Sequence, residues 1–367
     1  MPNPIALATP FFFLLMGVEL WLARRRGTRL YRFNDAVVNL ACGMSQQILV
    51  VFEIGVLAAG YVFLYQRRVY TFAPGSVWPW LIAFVAVDFT YYWWHRLSHR
   101  VNFLWAVHVV HHSSEEYNLA VALRQAVLSV WTIWPLHLPL ALLGVPPVTF
   151  LIVDSASTLY QFWIHTELVG KLGWFERVFN TPAQHRVHHA VNPRYLDKNY
   201  AATLCVWDRL FGTFEEETEQ PVYGLVKPLA SFDPVWAQVH HFVEIAQRMR
   251  AYRGLDRLRV WLRGPDWDFP PAPAITRAQQ RKYDPQLSSR ATAWLAVNLV
   301  ATVLGASLLL WYQAVLPFGQ RAAIAGFLLL TIASWGALLE KRRAAMALVE
   351  VSRFAVAGLA LLLYFRA

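Results

Sequence analysis

Apolar residues are gathered into blocks of bilayer length. Eight of them, roughly 4–23, 40–64, 77–94, 126–143, 147–164, 292–314, 322–339 and 345–365, approach the about 20 residues that a helix needs to cross a membrane. The fourth and fifth form a hairpin, turned at Gly144-Val145-Pro146-Pro147, where glycine and proline break the helix. Between the fifth and sixth blocks runs a polar stretch, 165–290, which holds most of the charge. It is too long and too polar to be a linker alone. The pattern predicts an all-α fold: a polytopic membrane helical bundle with a cytoplasmic helical cap. Within the polar stretch, 264–275 (GPDWDFPPAPAI) reads as a proline-rich loop.

Composition sharpens this picture. The chain has 367 residues, 57% of them hydrophobic and only 15% charged, whereas a soluble domain carries about 25% charged residues. The first block ends in Arg24, Arg25 and Arg26. It lacks a basic leading region and a small-residue cleavage site, so it reads as a retained anchor. Placing that arginine cluster inside and alternating puts 95–125, 165–290 and Lys341-Arg342-Arg343 inside as well. Only Arg67, Arg68, Arg321 and Arg366 remain outside, in agreement with the positive-inside rule. The net charge of +10 is then accounted for by cytoplasmic loops facing anionic headgroups, and no nucleic-acid-binding signature accompanies it. Arginine outnumbers lysine 28 to 5, a bias associated with GC-rich bacterial genomes and hence with a bacterial inner membrane. Cys42 and Cys205 are too few for a disulfide framework and read as packed thiols.

Nine of the twelve histidines fall in or beside three clusters on that same inner side. HRLSH supplies His95 and His99, HVVHH supplies His108, His111 and His112, and HRVHH supplies His185, His188 and His189. Spacings of i, i+3 and i+4 cover an arc of about 100° on a helix, so the rings of a cluster converge on one side. His165 ends QFWIH, where Gln161 stands one turn before it. Isolated histidines are ordinary surface residues; phased clusters on one side of a membrane point to metal ligation. A catalytic zinc site uses three protein ligands and a structural one four. Eight or nine imidazoles exceed one ion's capacity and suit two, and imidazole alone does not name the element. A zinc hydrolase fails on ligand number. A metal transporter would place its site near the bilayer midplane rather than at helix ends.

Acids inside membrane helices are costly and functional by default. Asp88 lies seven residues before His95, and Asp154 seven before Gln161 and eleven before His165. These phases predict that Asp88 and Asp154 hold a ligand ring N–H or a water. Glu53 has no phased partner. His137, between two prolines in WPLHLPL, reads as a hydrogen-bonded packing residue. His240 and His241 read as packing beneath the site.

DFTYYWWHRLSH, WAVHVVHHSSEEYN, NTPAQHRVHH and NYAATLCVWDRLFGTF resemble the fatty acid hydroxylase/sterol desaturase superfamily of membrane di-iron enzymes. HHSSEEYNLAVALRQ, LYQFWIHTELVGKLG, NPRYLDKNYA, VYGLVKPL and GPDWDF give a closer likeness to its alkylglycerol monooxygenase branch. The likeness covers about 80–270. With the apolar pattern, we expect a membrane-embedded catalytic domain over 1–290, including the polar stretch 165–290, followed by a three-helix membrane region, 291–367. The likeness implies two iron ions ligated by His95, His99, His108, His111, His112, His185, His188 and His189, with His165 as a ninth ligand. It further implies O2 as co-substrate, tetrahydrobiopterin or a separate electron-donor protein as reductant, and a membrane lipid as substrate. In that branch the ether-linked carbon is hydroxylated and the hemiacetal collapses to an aldehyde and glycerol; sterol or fatty acyl hydroxylation and desaturation are the sister chemistries. Gln161 stands where some members carry a further histidine. Glu115, Glu116, Asn118 and Arg124 follow the second cluster and are candidates for supporting a ligand or for contacting headgroup or cofactor. Asn180, Pro182 and Asn192 read as turn residues setting the third cluster's helix. Asn199, Tyr200, Trp207 and Asp208 are expected to brace it, with Asp208 supporting a ligand histidine.

Overall fold

The computed structural model describes residues 4–267 and 274–366, without the side chains of Arg343 and 359–366. Residues 268–273 of the expected proline-rich loop lie outside the described residues. Helices form at every expected block: α1 (Pro4–Arg25), α2 (Phe33–Tyr65), α3 (Trp78–Arg100), α5 (Ser129–Leu142), α6 (Pro147–Trp163), α11 (Ser289–Tyr312), α12 (Phe318–Leu339) and α13 (Arg343–Arg366). The intervening polar segments add α4 (Asn102–His112), α7 (Pro182–His188), α8 (Val206–Leu210), α9 (Pro234–Arg248) and α10 (Asp256–Leu262). No strand occurs among the described residues; two isolated bridges, Phe179 with Leu204 and Ala190 with Tyr223, tie loops together.

Local chemistry explains the boundaries. Pro79, Pro147, Pro182 and Pro234 each sit in the first turn of a helix, where proline's missing N–H has no partner to lose. Asp233 caps α9, accepting from the amides of Val235 and Trp236 at 2.9 and 3.1 Å. Among the described residues, four helices have the length and apolarity to cross a membrane: α1, α2, α11 and α12. The side chains of 359–366 in α13 lie outside the described residues, and the other three expected crossings differ for identifiable reasons. The second half of α3 carries Asp88, Arg96 and Arg100. Pro135 and Pro139 lie inside α5, and each removes a helical hydrogen bond. With 14 and 17 residues, α5 and α6 are only ~21 and ~26 Å long, short of the ~30 Å hydrocarbon core. Gly144 makes their turn with φ +93°, and a Cβ there would stand 2.2 Å from the Tyr70 carbonyl oxygen. Only glycine suits this close approach of the turn to the α2–α3 loop.

The membrane helices pack around α2. The largest core cluster joins Val37, Cys42, Ile48 and Val51 of α2 to Leu295 and Leu309 of α11 and to Leu328, Ile332 and Trp335 of α12. Helices α11 and α12 thus share a core with α2. Both cysteines are buried and free. Short helices α7 and α8, with their loops, cover the ends of α3 and α4, so the three histidine clusters meet at one end of the bundle.

Candidate metal centre

His95 and His99 project from α3, His108, His111 and His112 from α4, and His185 and His188 from α7. His189 follows α7 directly, and His165 lies just beyond α6. The rings sort into two groups. His95, His99, His108, His112 and His188 form one, and His111, His165, His185 and His189 the other; within each, one nitrogen per ring lies within 4.8 Å of all the rest. The groups adjoin, with the rings of His112 and His189 stacked at 4.4 Å between centroids.

Hydrogen bonding shows what this arrangement holds. Nδ1 of His95 faces the Tyr200 carbonyl at 2.8 Å, and Nδ1 of His188 the Lys198 carbonyl at 3.0 Å. In the second group, Nδ1 of His111 faces the Arg124 carbonyl at 3.1 Å and that of His165 the Gln161 carbonyl at 2.7 Å. A carbonyl only accepts, so each of these Nδ1 atoms carries the proton and each Nε2 is a bare lone pair. Yet Nε2 of His111 and Nε2 of His165 stand 3.2 Å apart. Two lone pairs at that distance repel unless a cation lies between them. Further Nε2–Nε2 separations are 3.0–3.2 Å: His95–His108, His108–His112 and His112–His188 in one group, His165–His185 and His185–His189 in the other. Donors ~2.1 Å from a shared ion, at right angles, lie about 3.0 Å apart. His99 Nε2 is buried with no hydrogen-bond partner, an orphan that a metal would satisfy. Burial drives the rings of His108, His112, His165, His185 and His189 far below the ordinary imidazole range, and holds His111 at about 4 and His188 at about 3. Neutral imidazole is the form that binds a metal. The nine residues therefore fit a pair of metal ions.

Outer supports explain why the rings are held. Asp88 is buried, but it hydrogen-bonds to no histidine ring. Its carboxylate accepts from the Thr203 and Leu204 amides at 2.8 and 3.1 Å and from Trp207 Nε1 at 2.8 Å. It anchors the loop behind Tyr200, in place of the ring N–H that helical phase suggested, because backbone carbonyls already take those protons. Asp208 acts one step further out. It accepts from the Tyr200 and Ala201 amides at 2.8 and 2.9 Å, and so sets the peptide whose carbonyl orients His95. Burial pushes the Asp208 carboxyl up to about 6. Asn199, at φ +55°, donates to the Gln184 and Glu215 carbonyls and accepts from the Glu215 amide. Asn180 donates to the Ala201 carbonyl at 2.6 Å, and Asn192 pins the 220–222 segment.

Arg124 is 1% exposed. Its guanidinium donates to the Val110 carbonyl, Ser113 Oγ and Asn39 Oδ1, while its own carbonyl faces His111. Glu116 and Glu115 touch no histidine. Arg32 pairs with both, Lys282 reaches Glu116 at 2.6 Å, and the Tyr283 amide reaches Glu115 at 2.9 Å. The two glutamates therefore clamp the 280–283 segment to the start of α2. Asn118 donates to the Leu30 carbonyl, away from the rings. The Gln161 side chain bonds the Ser157 carbonyl at 3.3 Å; only its backbone serves the site. Asp154 lies on the wall of the main cavity, as does His137. His137 also departs from expectation, since its Nε2 has no partner. His241 bonds Asn102 at 2.6 Å on the far side of α4.

Two further supports were not singled out from the sequence. Glu19 of α1 is buried and accepts from Tyr31, from Thr166 and, at 2.9 Å, from the Leu119 amide. An acid within the apolar run MGVELWL is the signal that marks it. Tyr117 lies over His165 with centroids 5.7 Å apart and bonds the Ile164 carbonyl at 2.9 Å.

A cavity of about 1060 Å³ opens on the histidines through His108, His111 and His165. Its walls are mostly apolar residues of α1, α2, α5, α6 and α11, and it extends along the bundle to Phe318 and Arg321. Two groups of histidines fit for metals, at one end of a hydrocarbon-lined chamber, define a membrane-embedded lipid hydroxylase. The sequence pattern of the fatty acid hydroxylase family matches residues 80–213, and the chain belongs to that family.

Its relatives narrow the class. It is 36% identical to the alkylglycerol monooxygenase of Homo sapiens, over 96% of this chain and 81% of that protein. Against the alkylglycerol monooxygenase of Danio rerio it is also 36% identical, over 93% and 78%. The ornithine lipid hydroxylase OlsE of Rhizobium tropici is 31% identical over 37% of this chain and 44% of its own length. No solved structure matches. The chain is an O2-dependent monooxygenase of membrane lipids.

Proposed function

We propose that the protein cleaves glyceryl ethers: it hydroxylates the ether-bearing carbon of an alkylglycerol, using a pair of iron ions. The cavity carries this reading. It is long, mostly apolar and closed at one end by histidines of both groups, so a single hydrocarbon chain entering it presents one terminal carbon to the metals. The identity to alkylglycerol monooxygenases over nearly the whole chain favours the ether carbon over a sterol ring or an acyl chain.

The five-histidine group would hold one iron and the four-histidine group the other. Iron supplies the one-electron and O2 chemistry that side chains lack. The chain's own residues do the rest. Carbonyls of Gln161, Arg124, Lys198 and Tyr200 keep four Nδ1 atoms protonated, so that Nε2 faces inward. Apolar walls exclude water and anchor the tail by about 0.8 kcal/mol per buried CH2. Each turnover places one atom of O2 on the carbon and sends the other to water, consuming two electrons. Tetrahydrobiopterin is the proposed source of those electrons, with a separate electron-donor protein the alternative. The hydroxylated ether carbon is a hemiacetal, which breaks to an aldehyde and glycerol. By its lysine and arginine distribution, the histidine end faces the cytoplasm.

Purified protein loaded with iron, supplied with octadecylglycerol, O2 and tetrahydropterin, should release octadecanal in proportion to pterin consumed. Absence of aldehyde, with oxidation of a sterol or fatty acyl lipid by a reduced carrier protein instead, would overturn the assignment.

A further inference from the structure

The chamber is not apolar along its whole length. Three glutamines line its histidine end: Gln47 of α2, Gln125 just before α5 and Gln161 of α6. Two of them flank the metal centre. The Gln161 carbonyl faces Nδ1 of His165 at 2.7 Å, and Gln125 follows Arg124, whose carbonyl faces Nδ1 of His111 at 3.1 Å. Nε2 atoms of those two histidines are 3.2 Å apart. Gln47 is tied to the same corner by a chain of hydrogen bonds. Its Nε2 donates to Gln46 Oε1 at 3.1 Å, Gln46 Nε2 donates to Ser129 Oγ at 2.9 Å, and Ser129 Oγ donates to the carbonyl of Ala126, the neighbour of Gln125, at 2.8 Å.

The direction of these bonds leaves acceptors free. Gln125 Nε2 donates to the Ala122 carbonyl at 2.9 Å and Gln161 Nε2 to the Ser157 carbonyl at 3.3 Å. A carbonyl only accepts, so each amide nitrogen faces the backbone and each Oε1 is turned away from it. Among the described residues no hydrogen bond reaches Oε1 of Gln47, Gln125 or Gln161, and all three oxygens keep accessible surface on residues that line the chamber. Apart from histidines, the charged side chains on the wall are Asp154 and Arg321. Asp154 lies seven residues before Gln161, ~10 Å along α6, and Arg321 lies at the far end.

A bare hydrocarbon would leave these oxygens dry and unpaired, which is costly. Hydroxyls donate and would satisfy them. We propose that Gln47, Gln125 and Gln161 bind the hydroxyls of an uncharged polyol headgroup, such as glycerol, and so position the adjoining carbon at His111 and His165. This deepens the proposed ether cleavage and rests on it: the tail runs down the chamber, the headgroup stays among the glutamines, and the ether carbon between them meets the histidines.

The test uses full-length protein in detergent, with and without iron. Octadecylglycerol and octadecyl propyl ether, which has the same skeleton and no hydroxyl, each compete against a pyrene-tailed alkylglycerol, so binding is read and not turnover. Both ligands meet the same micelles in every variant, and a change in their ratio therefore reports the protein. The wild-type protein should prefer the glycerol ether about thirtyfold, as two hydrogen bonds would give. Gln47→Met, Gln125→Met and Gln161→Met keep an unbranched side chain and remove the acceptor. Each should cut the preference about fivefold with affinity for the propyl ether undiminished, and the triple variant should bring the preference to about one. A wild-type ratio near one, or a preference that survives in the triple variant, overturns the proposal. Should the triple variant bind neither ligand, the single variants decide, and three unchanged ratios overturn it. If octadecylglycerol is cleaved without any hydroxyl preference, this inference alone fails. If no alkylglycerol competes at all, the functional reading fails and takes this one with it.

Discussion

Asn199→Ala probes the coupling between the 198–215 segment and the metal centre. Asn199 is buried, at φ +55°, and makes three hydrogen bonds to the Gln184 and Glu215 backbones. Its predecessor, Lys198, supplies the carbonyl that fixes His188, and Gln184 precedes His185. Alanine leaves those partners unmet, at about 1 kcal/mol each, and adds about 1 kcal/mol for a left-handed backbone. The total is about 4 kcal/mol. Asn199→Gly loses the same bonds without the backbone strain, so it should fall near 3 kcal/mol. Because the His188 support shifts in both, metal affinity should drop about 10–100-fold. Unfolding followed by tryptophan fluorescence gives the first quantity, and elemental analysis across a chelator titration the second. An alanine variant within about 1 kcal/mol of the parent, with its metal retained, would refute the coupling of this segment to the centre.

Three further outcomes follow from the same contacts. His188→Ala should abolish turnover and lower metal content while membrane insertion, tested by carbonate extraction, is unchanged; full activity would remove it from the ligand set. Glu19→Ala strands three donors near His165 and should destabilise the fold by about 3 kcal/mol, seen as a lowered midpoint of thermal unfolding; an unchanged midpoint would show that the network adds nothing. Chelation should lower the thermal midpoint of the wild-type protein and readdition of Fe(II) should restore it, because converged neutral imidazoles gain stability from bound metal. A midpoint indifferent to metal would contradict the metal-centred packing of the two groups.

Much of this was legible in the chain because it depends on near neighbours. Apolar blocks with proline at the first turn make helices wherever they lie, and Gly144 with its prolines makes a turn in any context. Phased histidines converge because 3.6 residues complete a turn, and family motifs place the chemistry. The acids show where that reasoning stops. Asp88 has the right phase to reach His95, yet it binds amides of the 203–204 loop, since carbonyls already occupy the ring protons. Glu115 and Glu116 follow the second cluster directly but face Arg32 and Lys282, because the chain turns after His112.

Tertiary structure alone divided the histidines. HVVHH sends His108 and His112 to one group and His111 to the other, and HRVHH sends His188 to the first and His185 and His189 to the second. Helical period gives each ring its direction from its own axis; which rings meet depends on how α3, α4, α6 and α7 cross. The chamber was decided the same way: α11 contributes to its wall, and His137 of α5 and Asp154 of α6 both line it. Sequence specifies each helix face through contacts a few residues apart, whereas a cavity is the space left when distant faces pack. Only the packed chain determines its length, its walls and the polar residues among them.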